Sequence, residues 1–90
     1  MAQAIANPEE LRAFAMKLKQ FNSTLSDQSA SLASQLDALS TTWRDQENAK
    51  FTEEFKDHMR LLAAFVEANN QHIPYLLRKA ERIEEYLSQR

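Results

Sequence analysis

The sequence predicts an all-α fold, an antiparallel helical hairpin with a kinked C-terminal extension that dimerises into a four-helix bundle. Three observations indicate this fold: leucines recur every seven residues, glycine is absent, and a short polar segment interrupts the apolar pattern near residue 40. Tight turns between strands and loops that bind phosphate both need glycine, so all-β folds and phosphate-binding loops are excluded. The 90 residues fit a single domain, 1–90.

The composition also excludes several classes of function. Without cysteine, the chain has no disulfide, no thiolate metal ligand and no cysteine nucleophile. Eleven basic residues face thirteen acidic ones and form no basic run, so we expect no nucleic-acid partner. No apolar stretch approaches the roughly 20 residues that span a bilayer, and no basic segment precedes an apolar core, so neither membrane insertion nor a cleavable signal peptide is expected.

The first helix is predicted to run from about residue 8 to about residue 40. Asn7 can accept hydrogen bonds from the first turn, Pro8 suits the first helical position, and Glu10 stands three residues after the cap. Apolar residues then follow at alternating spacings of three and four, which is typical of packing against a near-parallel neighbour. The residues predicted to form this seam are Leu11, Phe14, Leu18, Phe21, Leu25, Leu32 and Leu39.

Serine and threonine are frequent between residues 22 and 34, and charges are few there. Serine is a mediocre helix former, but the leucine repeat continues through this segment, so we favour a helix. The small side chains allow two interpretations. They form either a solvated outer face or a surface on which another helix packs closely.

A turn is predicted at about residues 41–45, where Thr42 or Asp45 can cap a second helix. That helix is expected over about residues 46–73, because apolar residues again recur at helical spacing. Pro74 disfavours helix at the preceding residue, so we expect a kink or break there and a C-terminal helix over about 74–88. The second seam consists of Phe51, Phe55, Leu62 and Phe65.

Folding this hairpin about Trp43 would place Leu11 opposite Tyr75 and leave residues 76–90 beyond the first helix. A hairpin buries only one stripe on each helix, so several apolar side chains would remain exposed. We expect these to include Leu36, Leu61, Val66 and Leu77. Small domains in this position usually oligomerise, so we predict a homodimer or a heterodimer with a close paralogue.

No combination of residues indicates catalysis, a cofactor or a metal site within one chain. His58 and His72 are separated by about 21 Å along a helix, too far for one metal ion, and no nucleophile has a neighbouring base. The remaining candidates are contacts with other proteins. Trp43 either covers the end of the hairpin core or anchors a partner. The apolar residues of the C-terminal extension are predicted to bind the second subunit or an outside partner: Leu76, Leu77, Ile83, Tyr86 and Leu87.

The turn Thr41-Thr42-Trp43-Arg44-Asp45, followed by Phe51 and Phe55, resembles the WXG family of small type VII secretion proteins. Members of that family are helical hairpins of similar length with tryptophan, any residue and glycine at the turn. Here Asp45 stands where the family has glycine. The family's C-terminal export signal, tyrosine followed four residues later by an acid, is not matched: Lys79 follows Tyr75, and Arg90 follows Tyr86.

The resemblance implies a non-enzymatic secretion substrate or its secretion partner, secreted without a cleavable signal peptide and recognised by secretion machinery near its turn. Two rival interpretations remain open on the sequence. One is an intracellular adaptor or chaperone-like helical dimer that is not exported and stays in the cytoplasm. The other is a membrane-surface amphipathic protein, which the mildly acidic charge disfavours, because interfacial helices carry lysine and arginine beside their apolar face.

Overall fold

The computed structural model describes residues 6–88, which form two long helices and no strand. Helix α1 spans Pro8–Leu39, and helix α2 spans Gln46–Ser88. The two pack side by side as a hairpin whose principal extents are 69 × 16 × 15 Å. The predicted all-helical hairpin is therefore confirmed.

Local signals determine where α1 begins. The Asn7 side-chain oxygen accepts hydrogen bonds from the backbone N–H groups of Glu9 and Glu10, at 2.8 and 3.2 Å. Pro8 occupies the first turn, where a missing N–H is not needed. Glu9 and Glu10 also place negative charge at the positive end of the helix dipole.

Helix α2 continues through Pro74, so the predicted division into helices 46–73 and 74–88 is not found. An interior proline costs about 3 kcal/mol in an isolated helix. Here Pro74 is exposed, and Asn70, whose carbonyl loses its helical partner, is an exposed residue as well. Packing on both sides of the proline compensates: Ile73 and Leu76 are half-buried, and Ala80 is fully buried.

The register between the helices also differs from the expectation. Asn22 pairs with Asn70, so residues equidistant from position 46, and not from Trp43, face each other near the middle of the hairpin. The turn occupies residues 40–45, and this width shifts α2 along α1. Tyr75 consequently lies beside Phe14 and Leu18, and residues 76–84 face the beginning of α1 instead of extending beyond it.

A layer of three asparagines, of which Asn22 is buried, fixes this register. Asn22 is 2% exposed, and its amide nitrogen donates to the Asn70 side-chain oxygen at 2.9 Å. Its own oxygen accepts a hydrogen bond from the Asn69 amide at 3.1 Å. Because a buried amide without partners is costly, sliding one helix along the other would break both bonds without replacing them.

An ion pair joins the helices at the end opposite the turn. Arg12 donates to both carboxylate oxygens of Glu84, at 2.7 and 2.6 Å. The hydrogen bond from Arg12 lowers the pKa of Glu84, and the same bond raises the pKa of Arg12. Together with the burial of Ala80, this pair shows that the segment after Pro74 packs against α1, which corrects the expectation that this segment lies beyond the first helix.

Replacing Asn22 with Ala should lower the free energy of unfolding by about 1–3 kcal/mol, since the amides of Asn69 and Asn70 lose their partner. Urea unfolding at a fixed protein concentration measures the effect. Gln20→Ala is the matched control, because Gln20 is an exposed amide on the same helix. Equal losses in the two variants would show that the asparagine layer contributes nothing specific.

Replacing Glu84 with Gln should change how stability depends on pH. The pKa of Glu84 is lower in the folded state than in the unfolded state, so its stabilisation is present at neutral pH and is lost as the pH falls through the folded-state pKa. The difference in Tm between wild type and Glu84→Gln should therefore be larger at pH 7 than at about pH 3. Glu85→Gln serves as the control, and a difference that stays constant between the two pH values would contradict the assignment.

Candidate interaction surface

The turn is held by hydrogen bonds from its own residues. The hydroxyls of Thr41 and Thr42 donate to the carbonyls of Ala38 and Leu39, at 2.7 and 3.2 Å, and continue the end of α1. Arg44 Nε donates to the Thr41 carbonyl at 2.8 Å. No residue in the described chain has a positive φ, so the turn does not require glycine.

Asp45 caps α2, as the sequence predicts for one of its two candidate caps. Its carboxylate accepts a hydrogen bond from the backbone N–H of Asn48 at 3.0 Å. The Asn48 amide in turn donates to the Ser40 hydroxyl at 3.1 Å, which ties the start of α2 to the end of α1. The acid thus connects the turn to the helix that follows it.

Trp43 is half-buried and begins a row of three aromatic rings. Its ring lies 5.9 Å from that of Phe51, and the ring of Phe51 lies 6.0 Å from that of Phe55. The tryptophan therefore packs on the end of the hairpin and still presents part of its ring to the outside. The interpretation of Trp43 as a cover for the end of the hairpin agrees with this packing, and its interpretation as an anchor for a partner stays a prediction.

The predicted seam separates into an inner and an outer row. The inner residues lie half-buried between the helices: Leu11, Leu18, Leu25, Phe55 and Leu62. The outer residues are 45–57% exposed: Phe14, Phe21, Leu32, Leu39, Phe51 and Phe65. We call this outer row the exposed apolar face.

The exposed apolar face lies on one side of the hairpin. Phe14 and Leu18 of α1 line an open groove together with His72, Tyr75 and Leu76 of α2. The other members of the face follow these residues at spacings of seven along each helix, and such spacings keep side chains on one side. The face therefore runs along the hairpin from the groove to the aromatic row at the turn.

The C-terminal candidates are divided in the same way. Leu76 and Ile83 are half-buried within the hairpin, whereas the other three candidates, Leu77, Tyr86 and Leu87, are exposed. Of the residues expected to stay exposed, Leu61 and Leu77 do so, and Val66 is half-buried. Leu36 is buried, which corrects that expectation, because the observed register places it inside the interface between the helices.

Sequence reasoning missed the residues that bury most completely. Ala15, Asn22 and Leu36 lie seven residues or multiples of seven apart, one turn along from the leucine repeat. This second seven-residue repeat could have indicated the buried positions in the sequence. Alanine and asparagine are missed, however, when only large apolar residues are sought. Ala80 of α2 is also 0% exposed, and its small side chain escapes notice for the same reason.

No metal or membrane site is found in the part of the chain that the structure describes. Residues 6–88 of a single chain bring no three His, Cys, Asp or Glu side chains together as a metal cluster. Neither α1 nor α2 has a segment apolar and long enough to cross a bilayer. What the surface of the described residues offers is the exposed apolar face.

Replacing Asp45 with Ala should lower the free energy of unfolding by about 0.5–2 kcal/mol, because the N–H of Asn48 loses its partner. Asp45→Gly should cost less, since glycine at a cap leaves the backbone open to water. Thermal melts of both variants, compared with Gln46→Ala, measure the difference. Equal and negligible shifts in Tm would show that Asp45 is merely a surface acid.

The comparison with known families agrees with the geometry. The family model WXG100, described as proteins of 100 residues with WXG, matches residues 3–86. No curated protein and no solved structure gives a significant match. A helical hairpin with Trp43 at its turn, matched over nearly its whole length, belongs to the WXG100 family, with Asp45 in place of the glycine that gives the family its name.

Proposed function

We propose that this protein is a non-enzymatic type VII secretion substrate, or the secretion partner of one, that acts as a dimer built through the exposed apolar face. In the dimer, two hairpins form a four-helix bundle. Family membership supports the link to type VII secretion. The observation that carries the dimer is the size and position of the face itself.

The surface area indicates how much of the molecule needs a partner. One chain exposes 7297 Å², whereas a compact monomer of 10.4 kDa exposes about 5,400 Å². The excess of roughly 1,900 Å² on one chain is larger than the roughly 800 Å² that each partner buries in a specific protein interface. The radius of gyration supports the same conclusion, at 20.4 Å against about 12 Å for a compact domain of this length.

The distribution of charge favours packing along the middle of the hairpin. Between residues 20 and 36, α1 carries one charged side chain, Asp27, and between residues 61 and 77, α2 carries only Glu67. The observed register places these two segments beside each other. A second helical hairpin can therefore cover the centre without burying an unpaired charge.

Export would require a recognition signal that this chain does not show at its tyrosines. The family's signal of tyrosine and a following acid is not matched after Tyr75 or Tyr86. The chain would then leave the cell together with a paralogue that carries the signal, or through contacts that the dimer itself presents. The half-exposed Trp43 and the end of α2 are the candidates for those contacts.

The dimer is tested with Leu32→Asp, since Leu32 is 51% exposed and lies outside the interface between α1 and α2. Burying an unpaired carboxylate costs several kcal/mol, so the dissociation constant should rise by about 100-fold or more. Ser31→Asp is the matched control on the adjacent exposed position. Sedimentation equilibrium measures both, and a wild-type chain that is monomeric at micromolar concentration would overturn the dimer.

Export is tested in the native host with the same two variants. Wild type and Ser31→Asp should reach the culture medium only in cells that carry the type VII secretion ATPase, whereas Leu32→Asp should stay inside. Quantitative immunoblots of medium and cells make the comparison. If the wild-type dimer remains in the cells with the ATPase present, the intracellular adaptor is the correct function.

A further inference from the structure

Resting on the dimer proposed above, we infer that two copies pair their α2 helices antiparallel about Phe65. His58 of one chain and His72 of the partner subunit then form a site for a divalent transition cation such as Zn²⁺. The symmetric dimer holds two such sites. Neither exists in a single chain, where the two histidines are about 21 Å apart along α2.

Both histidines lie within the surface that a second copy would cover. Phe51, His58, Phe65 and His72 follow one another at intervals of seven residues, so they share one edge of α2. Phe51 and Phe65 belong to the exposed apolar face, and both imidazoles are exposed. His72 also lines the open groove beside Phe14 and Tyr75.

The spacing of these residues is symmetric about Phe65. A two-fold axis across the long axis of the hairpin runs α2 antiparallel to the partner's α2. When Phe65 faces the partner's Phe65, residues equally far from it on opposite sides face each other. His58 stands seven residues before Phe65, and His72 stands seven residues after it. His58 of each chain therefore faces His72 of the partner subunit.

The apolar pattern of helix α1 independently gives the same position for the two-fold axis. Its exposed apolar residues are placed symmetrically about the midpoint of Ser26 and Asp27, so that Phe21 would face the partner's Leu32 and Phe14 the partner's Leu39. The Asn22–Asn70 hydrogen bond places this midpoint level with residues 65 and 66 of α2. One two-fold axis therefore satisfies both helices.

Charges at the two ends of α2 also favour the antiparallel arrangement. Glu47 and Glu54 lie on the edge of α2 next to the exposed apolar face near the turn, and Arg82 continues the same seven-residue spacing near the other end. Glu47 lies eighteen residues before Phe65 and Arg82 seventeen residues after it, so the antiparallel pairing brings Glu47 within one residue of the partner's Arg82. With both turns at the same end, α2 would instead lie over the partner's α1, and no histidine would face another.

The side chains provide suitable ligands. Neutral imidazole nitrogens bind zinc, copper and nickel, with zinc–nitrogen distances of about 2.0–2.1 Å. Packed helix axes about 8–10 Å apart place facing side chains within reach of one ion. Glu54 lies one turn before His58 on the same side of α2 and can add a carboxylate oxygen, which leaves a fourth position for water.

The test measures Zn²⁺ binding by the untagged dimer in isothermal titration calorimetry and the rise in Tm that saturating Zn²⁺ produces. Wild type should bind about one Zn²⁺ per chain and melt at a higher temperature with zinc than without it. His58→Ala and His72→Ala should each lose the binding and the shift in Tm, because each pair needs both residues. Unchanged binding in either variant would overturn the site.

Mixing the two variants tests the shared site directly. A heterodimer of His58→Ala and His72→Ala keeps one complete pair, since each chain supplies the histidine that the other lacks. After unfolding and refolding together, random pairing should restore about a quarter of the wild-type zinc stoichiometry. A mixture that binds no more than the separate variants would overturn the antiparallel register.

Sedimentation of the same samples separates this inference from the proposed function. A wild-type chain that sediments as a monomer refutes the dimer and therefore both proposals. A wild-type dimer that shows no Zn²⁺ binding refutes only the histidine site. Circular dichroism of the two variants confirms that they remain helical, so that a loss of binding is not a loss of folding.

Discussion

A hairpin of two helices can bury only one stripe on each, and this constraint governs the rest of the structure. The buried residues among those described are few and mostly small: they are two alanines, two asparagines and one large apolar residue, Leu36. The larger apolar residues remain at the edge of the interface or outside it. The exposed face is thus a consequence of the architecture.

Because so few large side chains interdigitate, apolar packing alone would define the register of the helices poorly. The hydrogen bonds of Asn22 with Asn69 and Asn70 supply the missing specificity at the middle, and Arg12 with Glu84 supplies it at the end. The turn, tied by Asn48 and Ser40, fixes the other end. A single polar residue in a helical seam commonly acts in this way, at some cost in stability.

The register also determines what the exposed face can pair with. The centre of the apolar pattern on α1 lies level with Phe65 on α2 only because Asn22 meets Asn70. Had the helices been shifted by one heptad, the two patterns would have had different centres, and no single two-fold axis could satisfy both. In the proposed dimer, the bonds inside one chain therefore prepare the surface for a symmetric partner.

The sequence was sufficient where the structure depends on local chemistry. The Asn7 cap, the turn after residue 39 and the Asp45 cap each depend on side chains within three or four residues of the backbone groups that they satisfy. It was insufficient where distant residues decide. The continuity of α2 at Pro74 depends on packing against α1, and the register depends on the width of the turn and on one buried amide.

Asp45 shows how local and distant effects combine at the end of the molecule. A glycine there would permit many turn geometries, whereas the carboxylate bond to Asn48 and the bond from Asn48 to Ser40 select one. Trp43 is then held on Phe51 with part of its ring outside. In the antiparallel dimer proposed here, the exposed end of the partner's α2 lies beside this ring. Any protein that recognises both features would bind the assembled dimer and not a single hairpin.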